Sequence, residues 1–171
     1  MNQKRKETAV VFRQEQLAEG IYDMWIETGL AKQAKAGQFI SVYTQDKSAL
    51  LPRPISICEV DKEKNRLRIV YRVVGKGTSE FAGYRAGNKI DILGTLGNGF
   101  PVEEVAGKRV FLMGGGIGIP PMLELAKSMK TRPTVVLGYR NELFLNQEFE
   151  PYADVVIATE DGNGLVMELE K

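Results

Sequence analysis

Hydrophobic and polar residues in the first half of the chain alternate over short runs that turn residues separate. Runs rich in β-branched and aromatic residues with partial alternation are typical of β-strands. Five such runs are TAVVFRQEQL, GIYDMWIET, GQFISVYT, PISICEV and RLRIVYRVV, and DKEKN (61–65) between the last two predicts a hairpin turn. Strands at such regular spacing, without a long helix between them, predict a small closed barrel or a sandwich.

One short helix interrupts this pattern before a last strand follows. GKGTSEFAGYRAG begins with glycines and Thr78, which is a good N-cap residue, and it ends at Gly87. NKIDILGTLGNGF then predicts a further strand and a loop rich in glycine.

The second half of the chain has a different pattern. RVFLMG is a continuous apolar run, as expected of a strand buried on both faces, and PPMLELAKSM has apolar residues at helical spacing from Met122 to Met129. TVVLGYR and DVVIATED predict two more buried strands, so that strand, helix and strand begin a parallel α/β sheet. We therefore predict a barrel over residues 1–103 and a partial three-layer α/β domain over residues 104–171. The sheet of that second domain is expected to be incomplete, or else covered at its edge by a partner.

Composition narrows the chemistry that is possible. The 171 residues carry a formal net charge of +1, no histidine and one cysteine, Cys58. These counts exclude Ser-His and Cys-His nucleophile pairs, histidine metal sites, an intramolecular disulfide and a four-thiolate zinc or iron–sulfur site. We therefore predict no catalytic side chain and no metal ligand, and difficult chemistry would need an organic cofactor.

Charge and hydropathy also restrict the expected partners and location. Only a short basic start, Lys4 to Lys6, stands out, so nucleic acid is not an expected partner. No apolar run approaches the ~20 residues that cross a bilayer. The amino terminus lacks a signal-peptide pattern, and we expect a soluble cytoplasmic protein.

Two short motifs in the barrel could bind a phosphate-bearing ligand. In RPIS, Arg53 offers a fork of donors suited to phosphate and Ser56 can hydrogen-bond a heterocycle, although an edge strand with a solvent-facing arginine is the alternative. In GKGT, glycines before a helix either form an anion site or serve only the helix N-cap. Tyr71 alone is more typical of a core residue. Together with Arg53, however, it favours a flavin dinucleotide, which needs a diphosphate anchor and a flat wall.

GGGIGIPP (114–121) lies between a predicted buried strand and a helix, where open α/β sheets bind ligands. It does not match G-x-G-x-x-G, because Ile119 stands at the sixth position. A phosphate or nicotinamide site and a close strand–helix turn fit these residues equally well. ATEDG (158–162) also follows a predicted strand, and we expect it to be a surface turn.

The ordered set RPIS, GKGT, LGNGF and GGGIGI resembles the electron-transfer subunits of NAD-linked (class 1B) dihydroorotate dehydrogenases, within the ferredoxin-reductase-like superfamily. The resemblance extends from Thr8 to Gly162. It implies a six-stranded antiparallel FAD-binding barrel followed by a partial NAD-binding α/β domain. The FAD contacts that it implies are Arg53, Pro54, Ile55, Ser56, Val70, Tyr71, Arg72, Gly77 and Thr78. The NAD contacts that it implies are Gly114, Gly115, Gly116, Ile117 and Gly118.

In that family, the catalytic subunit oxidises dihydroorotate in pyrimidine biosynthesis. The electrons then pass from its FMN through an iron–sulfur cluster and FAD to NAD. The resemblance thus implies a flavin-dependent oxidoreductase subunit in a hetero-oligomer with an FMN-containing catalytic subunit. This sequence lacks the family's cluster cysteines, since Cys58 lies in the barrel, so we expect no [2Fe–2S] cluster on this chain. GNGLVMELEK also replaces a glycine-rich stretch and a helix of the family, so we expect a C-terminally shortened subunit.

Two alternatives stay open beside this interpretation. One is another subunit of the same superfamily, ferredoxin–NAD(P) reductase-like or sulfide-dehydrogenase-like, which a different partner protein would reveal. The other is a flavin-binding module or fragment without turnover, whose bound flavin NADH would not bleach.

Overall fold

Six antiparallel strands close into a barrel and three parallel strands form a second sheet in the computed structural model, which describes residues 5–46 and 51–160. The barrel strands are β1 (Arg5–Ala18), β2 (Ile21–Glu27), β3 (Phe39–Tyr43), β4 (Arg53–Asp61), β5 (Arg66–Arg72) and β6 (Lys89–Leu96). The strands of the second sheet are β7 (Phe111–Gly115), β8 (Thr134–Tyr139) and β9 (Asp154–Thr159). The helices are α1 (Lys76–Ala82), α2 (Pro120–Ser128) and α3 (Asn146–Phe149). Lys4 and the closing segment GNGLVMELEK lie outside the described residues.

The barrel confirms the prediction made from the alternating pattern. Its strands follow the order β1-β2-β5-β4-β3-β6, and neighbouring strands pair antiparallel. Side chains from all six strands fill the interior, among them Val11, Met24, Ile40, Ile57, Leu67, Ile69 and Ile92. The predicted hairpin turn joins β4 to β5, where Asp61 pairs with Arg66. Phe81 of the predicted short helix α1 belongs to the same core and is fully buried.

The second sheet has the strand order β7-β8-β9, and its pairing is parallel, as the strand–helix–strand pattern predicted. Leu112, Val135 and Leu137 are buried in one apolar cluster with side chains of α2. Phe111 and Met113 alternate with Leu112 along β7, point to the opposite face, and are 51% and 72% exposed. β7 therefore packs through one face against α2, whereas its continuous apolar run predicted burial on both faces.

The helices are short. α2 has nine residues and α1 has seven, and both were predicted, whereas α3 is a four-residue turn that the sequence did not predict. Within residues 5–46 and 51–160, no helix has the length and apolar character needed to cross a membrane. The predicted domain boundary between residues 103 and 104 falls inside a 3-10 turn at Val102–Val105, and it stays a prediction.

The barrel and the second sheet share an apolar cluster. Cys58 of β4 and Val70 of β5 belong to it together with Leu123 of α2. Cys58 is fully buried there, and burial raises the pKa of its thiol, which agrees with a small buried hydrophobe. Beside the cluster, a carboxylate oxygen of Glu124 in α2 accepts a hydrogen bond from the Val60 N–H at 2.9 Å. Helix α2 is thus held directly on the outer wall of the barrel.

Gly114 lies where the end of β7 meets the start of α2. A Cβ atom at this position would be 2.9 Å from the carbonyl oxygen of Gly118 and 3.0 Å from the Cα of Ile119. These neighbours are backbone atoms, which cannot move aside as the end of a flexible side chain can. Gly114 therefore serves the close strand–helix turn that was one of the two interpretations of this motif.

We expect Gly114→Ala to lower the free energy of unfolding by about 1–3 kcal/mol, because the added methyl group overpacks the turn. Urea denaturation followed by the fluorescence of Trp25, the single tryptophan, measures the change. Gly118→Ala is the matched control, since a Cβ at Gly118 meets nothing within 4 Å. Equal unfolding midpoints for the two variants would contradict the tight packing at Gly114.

Candidate functional site

A cavity of about 300 Å³, called the barrel cavity below, lies on the outer wall of the barrel beside the start of α1. The residues that line it are Arg53, Pro54, Ile55, Ser56, Val70, Tyr71, Arg72, Val74, Thr78 and Ile117. Eight of these ten are predicted flavin contacts, and Gly77, the ninth, lies against Arg53. The structure thus brings the RPIS, VYR and GKGT motifs to one place, while their contact with a flavin stays a prediction.

Alternation along β4 determines which side chains of the RPIS motif face outward. Pro54 and Ser56 are exposed on the outer wall, whereas Ile55 is 8% exposed and belongs to the barrel core. On β5, Val70 also faces outward, but it is 3% exposed because it packs in the cluster shared with α2. The polar groups of this wall that a ligand can reach are therefore those of Arg53 and Ser56.

Arg53 lies directly over the first turn of α1. A Cβ atom at Gly77 would be 2.9 Å from the Nε of Arg53 and 3.2 Å from its Cζ, so the guanidinium occupies the space that a side chain would fill. One terminal nitrogen, Nη1, donates to the carbonyl oxygen of Leu51. Because a guanidinium has five N–H donors in a planar fork, the others can serve an anion at the start of the helix.

Thr78 orders the turn that leads into α1. Its Oγ1 accepts hydrogen bonds from the backbone N–H groups of Val74 at 2.9 Å and Gly75 at 3.2 Å, and it donates to the carbonyl oxygen of Gly75 at 3.1 Å. The hydroxyl is therefore engaged within the turn. The first amides of a helix have no intrahelical acceptor, so they and Arg53 form one set of donors beside the barrel cavity.

Tyr71 has its ring inside the barrel. The residue is 2% exposed, and its ring stacks on Tyr22 at 6.0 Å and meets the edge of Phe81 at 6.1 Å. The hydroxyl donates to the Oε1 of Gln14 at 2.7 Å, and burial raises the pKa of the phenol. With so little of it exposed, the ring serves the core. Tyr71 nevertheless lines the barrel cavity together with Arg53, and its contact with a flavin stays a prediction.

A larger cavity of about 870 Å³, called the sheet cavity below, opens at the carboxyl ends of β7, β8 and β9. This is the edge of an open parallel sheet where ligands bind. The residues that line it are Ala18, Glu19, Gly20, Ile21, Arg72, Val73, Gly115, Gly116, Gly138, Tyr139, Arg140, Asn141, Glu142, Phe144, Ala158, Thr159 and Glu160. Arg72 lines both cavities, so the two spaces adjoin at this residue.

The residues of the predicted nicotinamide loop (114–118) lie in three different surroundings. Gly115 and Gly116 line the sheet cavity, and Ile117 lines the barrel cavity. Gly116 has φ +51°, a left-handed conformation that favours glycine. Gly114 and Gly118 line neither of these two cavities, and Gly114 serves the packing of β7 on α2. The loop therefore reaches both cavities through its three central residues.

Most of the wall of the sheet cavity was not predicted from the sequence. The turn between β1 and β2 (18–21) contributes to it, and so do the end of β8 and the segment after it (138–142 and Phe144). The sequence could have predicted them only from their place after strands, because the segments that follow parallel strands meet at one edge of the sheet. ATEDG was expected to be a surface turn, but Ala158, Thr159 and Glu160 line the cavity. The remaining residues of that motif, 161–162, lie outside the described part.

Two of the glutamates that line the sheet cavity, Glu142 and Glu160, are engaged in pairwise contacts. The Oε2 of Glu142 accepts a hydrogen bond from the N–H of Glu19 at 3.1 Å, and Glu160 forms an ion pair with Arg140 at 3.3 Å. Over residues 5–46 and 51–160, no group of three or more Cys, Asp or Glu side chains has the arrangement of a metal site.

Two curated proteins are similar to this chain over most of its length. The dihydroorotate dehydrogenase B (NAD(+)), electron transfer subunit, of Streptococcus mutans is 39% identical over 164 residues, and that of Bacillus cereus (strain G9842) is 40% identical over 166 residues. The alignments cover 92% of this chain. The chain is a homologue of these subunits. It spans 64% of the length of each relative, and no family model matches it.

The fold has a relative among solved structures as well. The structure of an NADH-dependent reduced ferredoxin-NADP oxidoreductase matches with a TM-score of 0.81 at 29% identity, over 91% of this chain and 58% of the other. The chain therefore has a ferredoxin reductase-like fold, as the resemblance of its motifs predicted.

We expect Tyr71→Phe to lower the free energy of unfolding by about 1 kcal/mol, because the substitution removes the hydrogen bond to Gln14 in a buried site. Chemical denaturation measures the loss. The matched control is Tyr152→Phe, since Tyr152 is 39% exposed. If the two variants were equally stable, the hydroxyl of Tyr71 would have no role in the core.

Proposed function

We propose that this chain is the electron-transfer subunit of a flavoprotein oxidoreductase, with FAD in the barrel cavity and NAD in the sheet cavity. The observation that supports it most directly is that Arg72 lines both cavities, so that ligands in them would adjoin. Flavin and nicotinamide must come into contact for electrons to pass between them. FAD supplies the redox chemistry when it is bound, and the protein supplies binding, orientation and exclusion of water.

The groups that line the barrel cavity suit the diphosphate and the ring of a flavin dinucleotide. Arg53 and the first amides of α1 would hold the diphosphate, because a guanidinium fork and backbone N–H groups are the donors that phosphate oxygens accept. The close contact of Arg53 with Gly77 places this cation over the helix start. Ser56 is exposed on the same wall and would hydrogen-bond the isoalloxazine. Ile117, which is 43% exposed, would shield the ring from water.

The sheet cavity fits a nicotinamide dinucleotide. Gly115 and Gly116 bring backbone to the cavity wall without side chains, which lets a planar ring approach closely. Arg72 presents a cation at the junction of the two cavities and would bind a phosphate group there. The names of both curated relatives include NAD(+), which supports NAD rather than NADP as the nucleotide.

The curated relatives also support a partner. Each is named as the electron transfer subunit of a dihydroorotate dehydrogenase. We therefore propose a hetero-oligomer with an FMN-containing dihydroorotate dehydrogenase catalytic subunit, acting in pyrimidine biosynthesis in the cytoplasm. In it, this chain would pass electrons between the catalytic subunit and NAD.

A second candidate is a reductase subunit with a different protein partner. It is supported by the match in fold to an NADH-dependent reduced ferredoxin-NADP oxidoreductase. Affinity capture with purified candidates distinguishes the two functions. Retention of an FMN-containing dihydroorotate dehydrogenase subunit supports the first, and retention of a ferredoxin instead supports the second.

The visible absorption spectrum of the full chain, mixed with FAD and freed of excess, tests the proposed function. We expect the bands of a bound oxidised flavin, and we expect NADH to bleach them under anaerobic conditions faster than NADPH does. A chain that retains no FAD would contradict the proposal. Bound flavin that neither nucleotide bleaches would support a flavin-binding module without turnover.

We expect Gly77→Ala to weaken FAD binding by about tenfold, because the new methyl group displaces the Arg53 guanidinium from its place over α1. Quenching of flavin fluorescence during titration of FAD with protein gives the dissociation constant. Gly29→Ala is the control, since a Cβ at Gly29 meets nothing within 4 Å. Unchanged FAD affinity in Gly77→Ala would contradict the role given to Arg53.

A further inference from the structure

Arg68 of β5 is a cation buried between the barrel and the second sheet, with 4% of the residue exposed. Its Nε and Nη2 donate to the two carboxylate oxygens of Asp23 in β2 at 2.9 and 2.8 Å. Its Nη1 donates to Glu59 of β4 at 3.1 Å. Nη1 and Nη2 also donate to the carboxylate of Glu148 in α3, the latter at 3.0 Å. One guanidinium thus joins two barrel strands to a helix of the second sheet.

Helix α2 has separate ties to the same wall of the barrel. Lys127 forms an ion pair with Glu59 at 2.5 Å, and Glu124 accepts from the Val60 N–H. Helix α3 makes a polar contact with the barrel between Glu148 and Arg68, beside the buried ring of Phe149. The position of α3 relative to the barrel therefore depends on a charge pair and on apolar packing, and the charge pair supplies the fixed direction.

The turn of α3 continues directly from the wall of the sheet cavity. Residues 138–142 and Phe144 line that cavity. The hydroxyl of Tyr139 donates to the carbonyl oxygen of Phe144 at 2.8 Å, and the N–H of Glu148 donates to the carbonyl oxygen of Leu145 at 2.9 Å. Glu148 therefore acts on this wall from its α3 side, while Glu142 ties the other end to the N–H of Glu19 in the turn between β1 and β2.

We propose that the contact between Arg68 and Glu148 positions the wall of the sheet cavity, and that both are positioning residues for the dinucleotide held there. The proposal rests on the proposed function for the identity of that ligand, NAD(H). The role of the contact in holding residues 138–149 against the barrel depends only on the hydrogen bonds described above.

The exposed fractions of Arg68 and its carboxylate partners determine which residue can be substituted without unfolding the protein. Removal of Arg68 would leave Asp23, which is 2% exposed, buried without its cation, and a buried charge without a partner destabilises the whole fold. The side chain of Glu148 is 44% exposed, and Arg68 keeps Asp23 and Glu59 as partners when Glu148 is neutral. Glu148→Gln therefore removes the negative charge and one of the two acceptor oxygens from the contact with α3, and it keeps the barrel's own ion pairs.

The test compares Glu148→Gln with Glu150→Gln in the full chain, since Glu150 is an exposed glutamate two residues further along. We expect amide hydrogen exchange over residues 138–152 to rise about three- to tenfold in Glu148→Gln alone, because a charge-assisted hydrogen bond is lost. Exchange in β1 to β6 is expected to stay unchanged. In the FAD-loaded protein, we expect the KM for NADH to rise by a similar factor while FAD affinity is kept.

Two results of the exchange measurement would overturn the proposal. If Glu148→Gln and Glu150→Gln gave the same exchange over residues 138–152, the proposal would be overturned. If exchange rose equally throughout the barrel, Glu148 would stabilise the whole fold and would not position one wall, which also overturns it. Arg68→Lys is the second variant: it keeps a cation beside the buried Asp23 but loses the planar fork, so exchange over residues 138–152 should rise in this variant as well.

The readouts separate this proposal from the proposed function. If NADH failed to bleach the flavin of the unchanged protein, the proposed function would fail, and the exchange data would still test the contact between Arg68 and Glu148. If NADH bleached the flavin equally well in both variants and exchange did not differ, the positioning role alone would fail.

Discussion

The packing of α2 against the outer wall of the barrel determines where both cavities form. On β4 and β5 the wall carries Cys58 and Val70, which point away from the barrel interior and join the cluster that holds Leu123. These strands are therefore apolar on both faces where α2 covers them. Because α2 is fixed there, the loop before it brings Ile117 to the barrel cavity and Gly116 to the sheet cavity.

Apolar packing alone is non-directional, and the ion pairs at its border supply direction. Burial works to lower the pKa of Arg68, but hydrogen bonds to Glu148 and Asp23 outweigh it and raise the pKa. The same balance holds for Lys127, where burial lowers the pKa and the bond to Glu59 raises it above its usual value. Both cations therefore stay charged beside the carboxylates that they contact.

The alternating pattern predicted the barrel well because each strand has one face in a closed core. Even the inward direction of Tyr71 follows from it, since Leu67, Ile69 and Tyr71 share one face of β5 and all belong to the core. The motifs predicted the barrel cavity because Arg53 and the glycines of GKGT have no use in a core. By contrast, α3 could not be predicted. Its four residues are too few to show a helical spacing of apolar residues, and its N-cap position holds Leu145 with φ +62° in place of a usual N-cap residue. The wall of the sheet cavity was missed for a related reason: residues such as Ala18 and Glu142 are ordinary in type, and tertiary packing alone brings them together.

The loop GGGIG also shows why a near match to a dinucleotide motif has a different chemical meaning here. In a phosphate-binding loop, the first amides of the following helix donate to the anion. Here the helix begins with Pro120 and Pro121, which have no N–H to donate. The start of α2 is therefore a poor site for a phosphate, and under the proposed function the loop would instead let a flat ring approach the backbone closely. The phosphates of a dinucleotide would then depend on cations elsewhere, and Arg72, which lines both cavities, is placed for that contact. Under the proposed function, Arg72 would thus bind phosphate while the glycine loop would give room to the ring. This agrees with the sequence, where Ile119 replaces the last glycine of a Rossmann motif.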